Sequence, residues 1–217
     1  MNVALLASAL EVLRLVVSAE AEQDKMRERY AYREVQENLP RIKVFDVIFL
    51  EGAPYRRLIE KNGKLLPGKE QKAVVEDMKK TVAERRASRN RGRVFTRYFT
   101  MRIDKLENLE TTHELSIEGD HLTALPKAGN AYRHEMWIDP ETHVILRHEI
   151  EVVGPGSELK PGTIVRCQFS REGDSAYLLR RNEVDYKVTF ASGKQVHLYP
   201  NYKKFDVEST ITFEEKQ

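Results

Sequence analysis

Short runs of alternating polarity, separated by turn residues, occupy most of the chain from Tyr30 onward. The first runs span residues 30–35 and 42–50, and the last one spans residues 205–213. A period of two residues is typical of strands, and short turns favour neighbours that pair antiparallel. Crossover helices do not alternate with the runs, which argues against a parallel α/β sheet. The sequence therefore predicts an antiparallel meander of roughly ten strands.

Turn residues fix where several of these strands end. An Asn-Gly pair is the strongest two-residue hairpin signal. Between the predicted strands 132–138 and 143–153, a proline presets φ at the second turn position, and the aspartate before it can accept a backbone N–H. The predicted turns are Asn62-Gly63, Asp139-Pro140-Glu141-Thr142 and Ser192-Gly193.

Two segments have helical periodicity instead. Residues 2–27 are predicted to form an amphipathic helix, and residues 69–89 a second, inserted helix with a narrow apolar side. The second lies between Pro67-Gly68 and Gly92, which favours a surface helix that acts as a mobile cover over an opening. The apolar residues are Leu6, Leu10, Leu13 and Val17 on the first helix, and Val74, Val75, Met78 and Val82 on the second.

Composition limits the class of protein. The length of 217 residues and a hydrophobic content of 41% suit one domain spanning residues 1–217. Charged residues make up 32%, which excludes a membrane protein, and a net charge of +2 provides no basic field for nucleic acid. The basic run at residues 84–93 has two interpretations. It could contact anionic phospholipid or nucleic acid, or it could be a solvated helix C-terminus, and we favour the second.

No motif for catalysis or for a cofactor occurs. The six histidines form neither H-x-H nor H-E-x-x-H, so we predict no metal site. There is no G-x-S-x-G, P-loop or G-x-G-x-x-G sequence. Cys167 alternates with Val165 and Phe169, as a small core residue would. We therefore predict a protein without cofactor that is not an enzyme. An enzyme that uses carboxylates in a cleft ranks third, after the two hypotheses given below.

The N-terminus differs from a signal peptide, because it has no basic start and Glu11 and Arg14 interrupt its apolar run. For an exported protein, we therefore expect the leader to be absent from this chain.

A resemblance to a known family rests on three stretches. Residues 136–142, Met-Trp-Ile-Asp-Pro-Glu-Thr, followed by an alternating strand, resemble the hairpin of the bacterial outer-membrane lipoprotein-sorting proteins, the LolA/LolB-like carriers. Residues 55–64 and 201–209 look like a divergent branch of that superfamily. The resemblance implies an incomplete β-barrel whose open side is covered by the two helices. It also implies an apolar cavity for acyl chains, and export to the periplasm.

The leading hypothesis is thus a periplasmic carrier of hydrophobic ligands such as lipid or lipoprotein acyl chains, with possible contact to a membrane surface. The alternative is a protein-interaction or scaffold domain of the same fold with a closed core. The helix stripe would then fill the concave face, and Trp137 would anchor its hairpin. The candidate ligand-binding residues are Leu6, Leu10, Leu13, Met78, Val82, Phe95, Phe99, Met101 and Trp137.

Overall fold

The computed structural model describes residues 8–38, 41–50, 53–66, 71–89, 106–154, 159–173, 175–188 and 191–204. Within them lie two long helices, α1 (Ala9–Arg27) and α2 (Gln71–Arg89), and a short one, α3 (Leu109–Thr112), which follows a 3₁₀ turn. The two predicted helices agree with α1 and α2 over the described residues; residues 2–7 and 69–70 of the predictions lie outside them. Among the described residues, no helix has both the length and the apolar character needed to cross a membrane.

The strands account for most of the remaining described residues. They are β1 (Tyr30–Asn38), β2 (Arg41–Leu50), β3 (Ala53–Lys61), β4 (Lys64–Leu65), β5 (His113–Glu118), β6 (His121–Pro126), β7 (Tyr132–Ile138), β8 (Ile145–Val152), β9 (Ile164–Glu172), β10 (Ala176–Val188), β11 (Ala191–Leu198) and β12 (Lys203–Lys204).

The strands form one antiparallel sheet in the order β4-β3-β2-β1-β11-β10-β9-β8-β7-β6-β5, with β12 beside β1. β1 to β4 are one meander and β5 to β11 another, and the two join where β11 pairs with β1. In the described part of the chain the path ends at β4 and β5, so the sheet is unclosed. The predicted fold class, an incomplete antiparallel barrel with an N-terminal and an inserted helix, is confirmed. The described residues contain twelve strands where roughly ten were expected.

The first helix begins at a capping box and packs on the sheet. Ser8 Oγ accepts a hydrogen bond from the Glu11 N–H at 3.3 Å, while the Ser8 N–H donates to the Glu11 carboxylate at 2.7 Å. Leu13 and Val16 are buried against the sheet, whereas Leu10 and Val17 are only half-buried. The buried line therefore differs from the predicted stripe, because the helix turns Val16 toward the sheet.

Polar groups fasten the second half of α1. Gln23 accepts a hydrogen bond from the Tyr177 N–H at 2.7 Å and donates to the Ser175 carbonyl at 3.0 Å. Arg27 Nε donates to the Tyr177 carbonyl at 2.8 Å. These bonds join α1 to the start of β10 and fix the helix over one face of the sheet.

Two predicted turns have different outcomes. Asn62 and Gly63 have φ values of 52° and 75°, as the predicted two-residue hairpin turn requires. The predicted turn at Ser192-Gly193 is wrong, because both residues lie within β11. A Cβ on Gly193 would lie 2.5 Å from the hydroxyl oxygen of Tyr186, its cross-strand partner. This glycine therefore allows an aromatic ring to approach the backbone instead of forming a turn.

Two strand boundaries also differ from the prediction. Alternating polarity in residues 109–117 predicts a strand, but the first four of these residues form helix α3. There the Thr111 and Thr112 hydroxyls both donate to the Asn108 carbonyl and so stabilise a helical turn. The predicted strand 143–153 places His143 and His148 on one strand. In the structure His143 instead precedes β8, in a turn where its φ is 58°. The predicted strand 205–213 lies outside the described residues.

The outer face of the sheet, opposite α1, carries cross-strand ion pairs. Arg133 lies 2.7 Å from Glu151, and Arg166 lies 2.9 Å from Glu149 and 2.5 Å from Asp185. Partly exposed pairs of this kind contribute at most about 1 kcal/mol each. They keep this part of the outer face polar, and the core residues Leu122 and Met136 lie on the other face.

Candidate functional site

The inner face of the sheet, which α1 contacts, has a closed core at the β5–β8 end. Leu13 and Val16 of α1 pack there on aliphatic side chains of the sheet. Their exposed fractions are 2% and 0%, so the helix itself fills this part of the concave face. The sheet contributes Leu122, Ala124, Met136, Ile138 and Ile145.

A line of polar side chains, the polar row, crosses the middle of the inner face. Its members come from adjacent strands and follow from the strand register, in which His148 pairs with Cys167, and Asn182 pairs with both Cys167 and His197. Polar side chains in a protein interior need hydrogen-bond partners, and three contacts within this row supply some of them. From β7 to β1 the polar row consists of His134, His148, Cys167, Asn182, His197 and Glu34.

The first two members are a pair of neutral histidines. His134 Nδ1 lies 3.0 Å from His148 Nε2, so one imidazole donates a hydrogen bond to the other. Burial, and to a lesser degree the neighbouring His148 and His113, holds the pKa of His134 well below its ordinary value. Burial lowers the pKa of His148 to about 4. Among the described residues His134 Nε2 is buried and has no hydrogen-bond partner. Burial makes a proton on this pair costly.

The cysteine of the polar row has the structural role predicted for it. Cys167 is buried, its Sγ lies 3.8 Å from Asn182 Oδ1, and burial raises the pKa of the thiol to about 12. A thiol with so high a pKa is not a nucleophile at neutral pH. The described residues contain no group of three or more His, Cys, Asp or Glu side chains able to hold a metal ion.

A charged network ends the polar row. Glu34 is buried, and its Oε1 accepts hydrogen bonds from His197 Nδ1 at 2.6 Å and from Arg56 Nη2 at 2.7 Å. The guanidinium carbon of Arg56 also lies 4.3 Å from the centre of the Phe45 ring. We call Glu34, His197 and Arg56 the Glu34 network. It holds one cation in a fixed position on the inner face.

Aromatic rings lie next to the Glu34 network on the same face. Tyr32 is 6.4 Å from Phe49, 5.6 Å from Tyr199 and 5.2 Å from Tyr202, measured between ring centres. Tyr32, Phe45, Phe49 and Tyr202, which we call the aromatic surface, are half-buried. The β1–β2 end of the inner face thus differs from the closed aliphatic core under α1.

Helix α2 is attached at this end of the sheet. Arg85 donates to the carbonyl oxygens of Leu50 and Pro54 at 2.6 and 2.9 Å, and Asp77 accepts from the Tyr55 hydroxyl at 2.6 Å. Tyr55 and Arg56 are consecutive strand residues, so the bond to Asp77 leaves from the face opposite the Glu34 network. Part of the basic run thus anchors α2 instead of facing solvent throughout.

The nine candidate ligand-binding residues fall into separate groups. Leu10 and Leu13 lie on α1 at one end of the sheet, while Met78 and Val82 lie half-buried on α2, at the other. Trp137 is on the outer face, stacked 4.4 Å from His121 and 4.3 Å from the Arg147 guanidinium carbon. Leu6, Phe95, Phe99 and Met101 lie outside the described residues. Sequence reasoning missed the polar row; the one available signal was polar residues at alternate positions of apolar strands.

Comparisons with known proteins find similar chains among solved structures. No protein-family model and no curated protein matches the sequence. The chain is similar to the solved structure of an outer membrane lipoprotein-sorting protein domain from Vibrio parahaemolyticus, with 11% identity, a TM-score of 0.43, and coverage of 88% of this chain and 93% of that one. It is also similar to MucB in complex with MucA(peri), with 12% identity, a TM-score of 0.28, and coverage of 92% and 100%.

A third similar structure is the Pseudomonas aeruginosa MucA/MucB complex, with 12% identity, a TM-score of 0.26, and coverage of 92% and 99%. At these values the likeness concerns the fold.

Proposed function

We propose that this protein is a non-enzymatic, periplasmic binding or carrier protein for hydrophobic ligands such as the acyl chains of lipids or lipoproteins. The observation that carries the proposal is the aromatic surface on the inner face of an unclosed sheet. Half-buried aromatic rings around a concave face suit apolar ligands, because they offer large contact areas with little conformational entropy to lose.

The energy of such binding comes from area. An acyl chain gains about 0.8 kcal/mol for each CH₂ group removed from water, before the cost of ordering the chain. The aliphatic core under α1 is already filled by Leu13 and Val16, so it leaves the β1–β2 end as the place for a ligand. The proposed site therefore lies away from Leu10 and Leu13.

A fluorescent fatty acid provides the test. We expect the purified protein to bind it in the micromolar range or tighter, and native mass spectrometry to detect co-purified lipid. Phe49→Asp places a charge on the aromatic surface and should weaken binding about tenfold or more. Leu125→Asp, at an exposed apolar residue of β6, is the matched control and should bind as the wild type does.

The second candidate function is a protein-interaction or scaffold domain, and the closed core under α1 favours it. This candidate predicts that no acyl probe binds and that no lipid co-purifies. Failure of the wild-type protein to bind any acyl probe would therefore reject the carrier function and leave the interaction domain.

A further inference from the structure

The Glu34 network holds the Arg56 guanidinium in place but occupies only some of its hydrogen-bond donors. Arg56 Nη2 donates to Glu34 at 2.7 Å, and the guanidinium lies over the Phe45 ring. Its Nε and Nη1 donors have no protein partner among the described residues, and 41% of the side chain is exposed. A guanidinium held on one edge and one face presents its remaining donors in a single geometry.

The strand register places this cation beside the aromatic surface. Arg56 pairs with Val47, which pairs with Tyr32 on β1, and Glu34 pairs with Phe45. All of these side chains therefore share the inner face, and the cation lies at the border of a half-buried aromatic area. A ligand that fits both parts has an apolar chain and an anionic end.

We propose that Arg56, positioned by Glu34 and His197, binds the carboxylate head group of a long-chain fatty acid whose chain lies on the aromatic surface. This inference rests on the proposed function and specifies its ligand class. A planar carboxylate matches the donor geometry of a guanidinium, and such charge-assisted hydrogen bonds are stronger than neutral ones. Because Glu34 partly balances the charge of Arg56, the site suits one negative charge better than two.

His197 has a positioning role. Its Nδ1 donates to the same Glu34 oxygen that accepts from Arg56, so it fixes the carboxylate that in turn fixes the guanidinium. His197→Gln retains an N–H donor for Glu34, and we expect it to preserve the preference for a carboxylate. His197→Leu removes the donor and should reduce that preference without changing the binding of a neutral ligand.

Three ligands with the same chain separate head-group binding from chain binding. At neutral pH we expect palmitate to bind about tenfold or more tightly than methyl palmitate, which has no charge, since a charge-assisted hydrogen bond carries that much. Hexadecyl phosphate, whose head group has more negative charge, should bind less tightly than palmitate. Calorimetry, or displacement of a fluorescent acyl probe, measures all three.

Arginine variants assign the preference to one residue. Arg56→Gln should lower palmitate affinity to that of the methyl ester and leave ester affinity unchanged. Arg57→Gln is the matched control, because Arg57 is the neighbouring strand residue on the outer face, paired with Asp46 at 3.1 Å. Arg57→Gln should keep the wild-type preference. Arg56→Lys, which retains the charge but not the planar fork, should keep only part of it.

Each other outcome has one meaning. If wild-type protein binds palmitate and its methyl ester equally, the head-group site is wrong and the carrier function stands. If neither binds, both proposals fail. A preference that persists in Arg56→Gln, or tighter binding of the alkyl phosphate, overturns the assignment to Arg56 or to a carboxylate. If a variant does not fold, the comparison of the three ligands on wild-type protein still tests the head-group site.

Discussion

The two ends of the inner face are built from different kinds of side chain. Under α1, aliphatic residues of helix and sheet interdigitate, and Leu13, Val16 and Met136 are at most 2% exposed. At the β1–β2 end, rings such as Tyr32 and Phe49 are half-buried beside a buried carboxylate. Close aliphatic packing stabilises the fold, whereas rings and a fixed cation at a partly open face are suited to recognition. We therefore propose that the same sheet separates stability from binding along its length.

The largest expected effect is a loss of stability on mutation of the aliphatic core under α1. Leu13→Ala removes a buried side chain from a filled core, and we expect a loss of about 2–5 kcal/mol in the free energy of unfolding. Leu10→Ala, one helical turn earlier and half-buried, should cost about 1 kcal/mol, since it leaves little cavity. Urea denaturation of both variants measures the difference. Equal losses would show that the helix face is not oriented as described.

The second prediction concerns the histidine pair between the two ends. Burial keeps His134 and His148 neutral in the fold, with the pKa of His148 lowered to about 4. The unfolded chain, with an ordinary pKa of about 6.5, takes up protons first as the pH falls. The contribution of these residues to stability is therefore full above about pH 6.5 and is lost progressively toward about pH 4, by up to ~1.4 kcal/mol per pH unit for each histidine.

Urea denaturation across that pH range checks this prediction. His134→Gln should reduce the slope of unfolding free energy against pH by comparison with wild type, which separates the histidine share from that of the carboxylates. His121→Gln, on the outer face, retains the buried pair and should keep the slope that the pair produces. An unchanged slope in His134→Gln would contradict the assignment.

Local sequence signals are sufficient to predict the strands and turns, but not the contacts between side chains that are distant in sequence. The alternation in β7 and the Asn62-Gly63 turn each involve neighbours in sequence, so periodicity and turn chemistry reveal them. Glu34 and His197 are 163 residues apart, and they meet only because β11 pairs with β1 in one register. Pairing between the two meanders leaves no local pattern in the sequence, so the polar row could not be predicted from the sequence. For the same reason, the local sequence predicts a turn at Gly193, whereas its cross-strand partner Tyr186 explains this glycine.

The smallest expected effect concerns α2, predicted from sequence to be a mobile cover. Its described anchors are polar, with Arg85 bonded to the Leu50 and Pro54 carbonyls and Asp77 to Tyr55. Few buried apolar contacts favour local opening, so amide hydrogen exchange should be faster in α2 than in β8. Arg85→Met keeps the side-chain length but removes the hydrogen bonds to both carbonyls. We expect this variant to exchange amide hydrogens in α2 still faster. Its free energy of unfolding should fall by less than about 1 kcal/mol. Lys80→Met, at an exposed position of the same helix, controls for the lost charge and should leave exchange unchanged. Equal protection of α2 and β8 in wild-type protein would reject a mobile helix and extend the rigid core to both ends of the sheet.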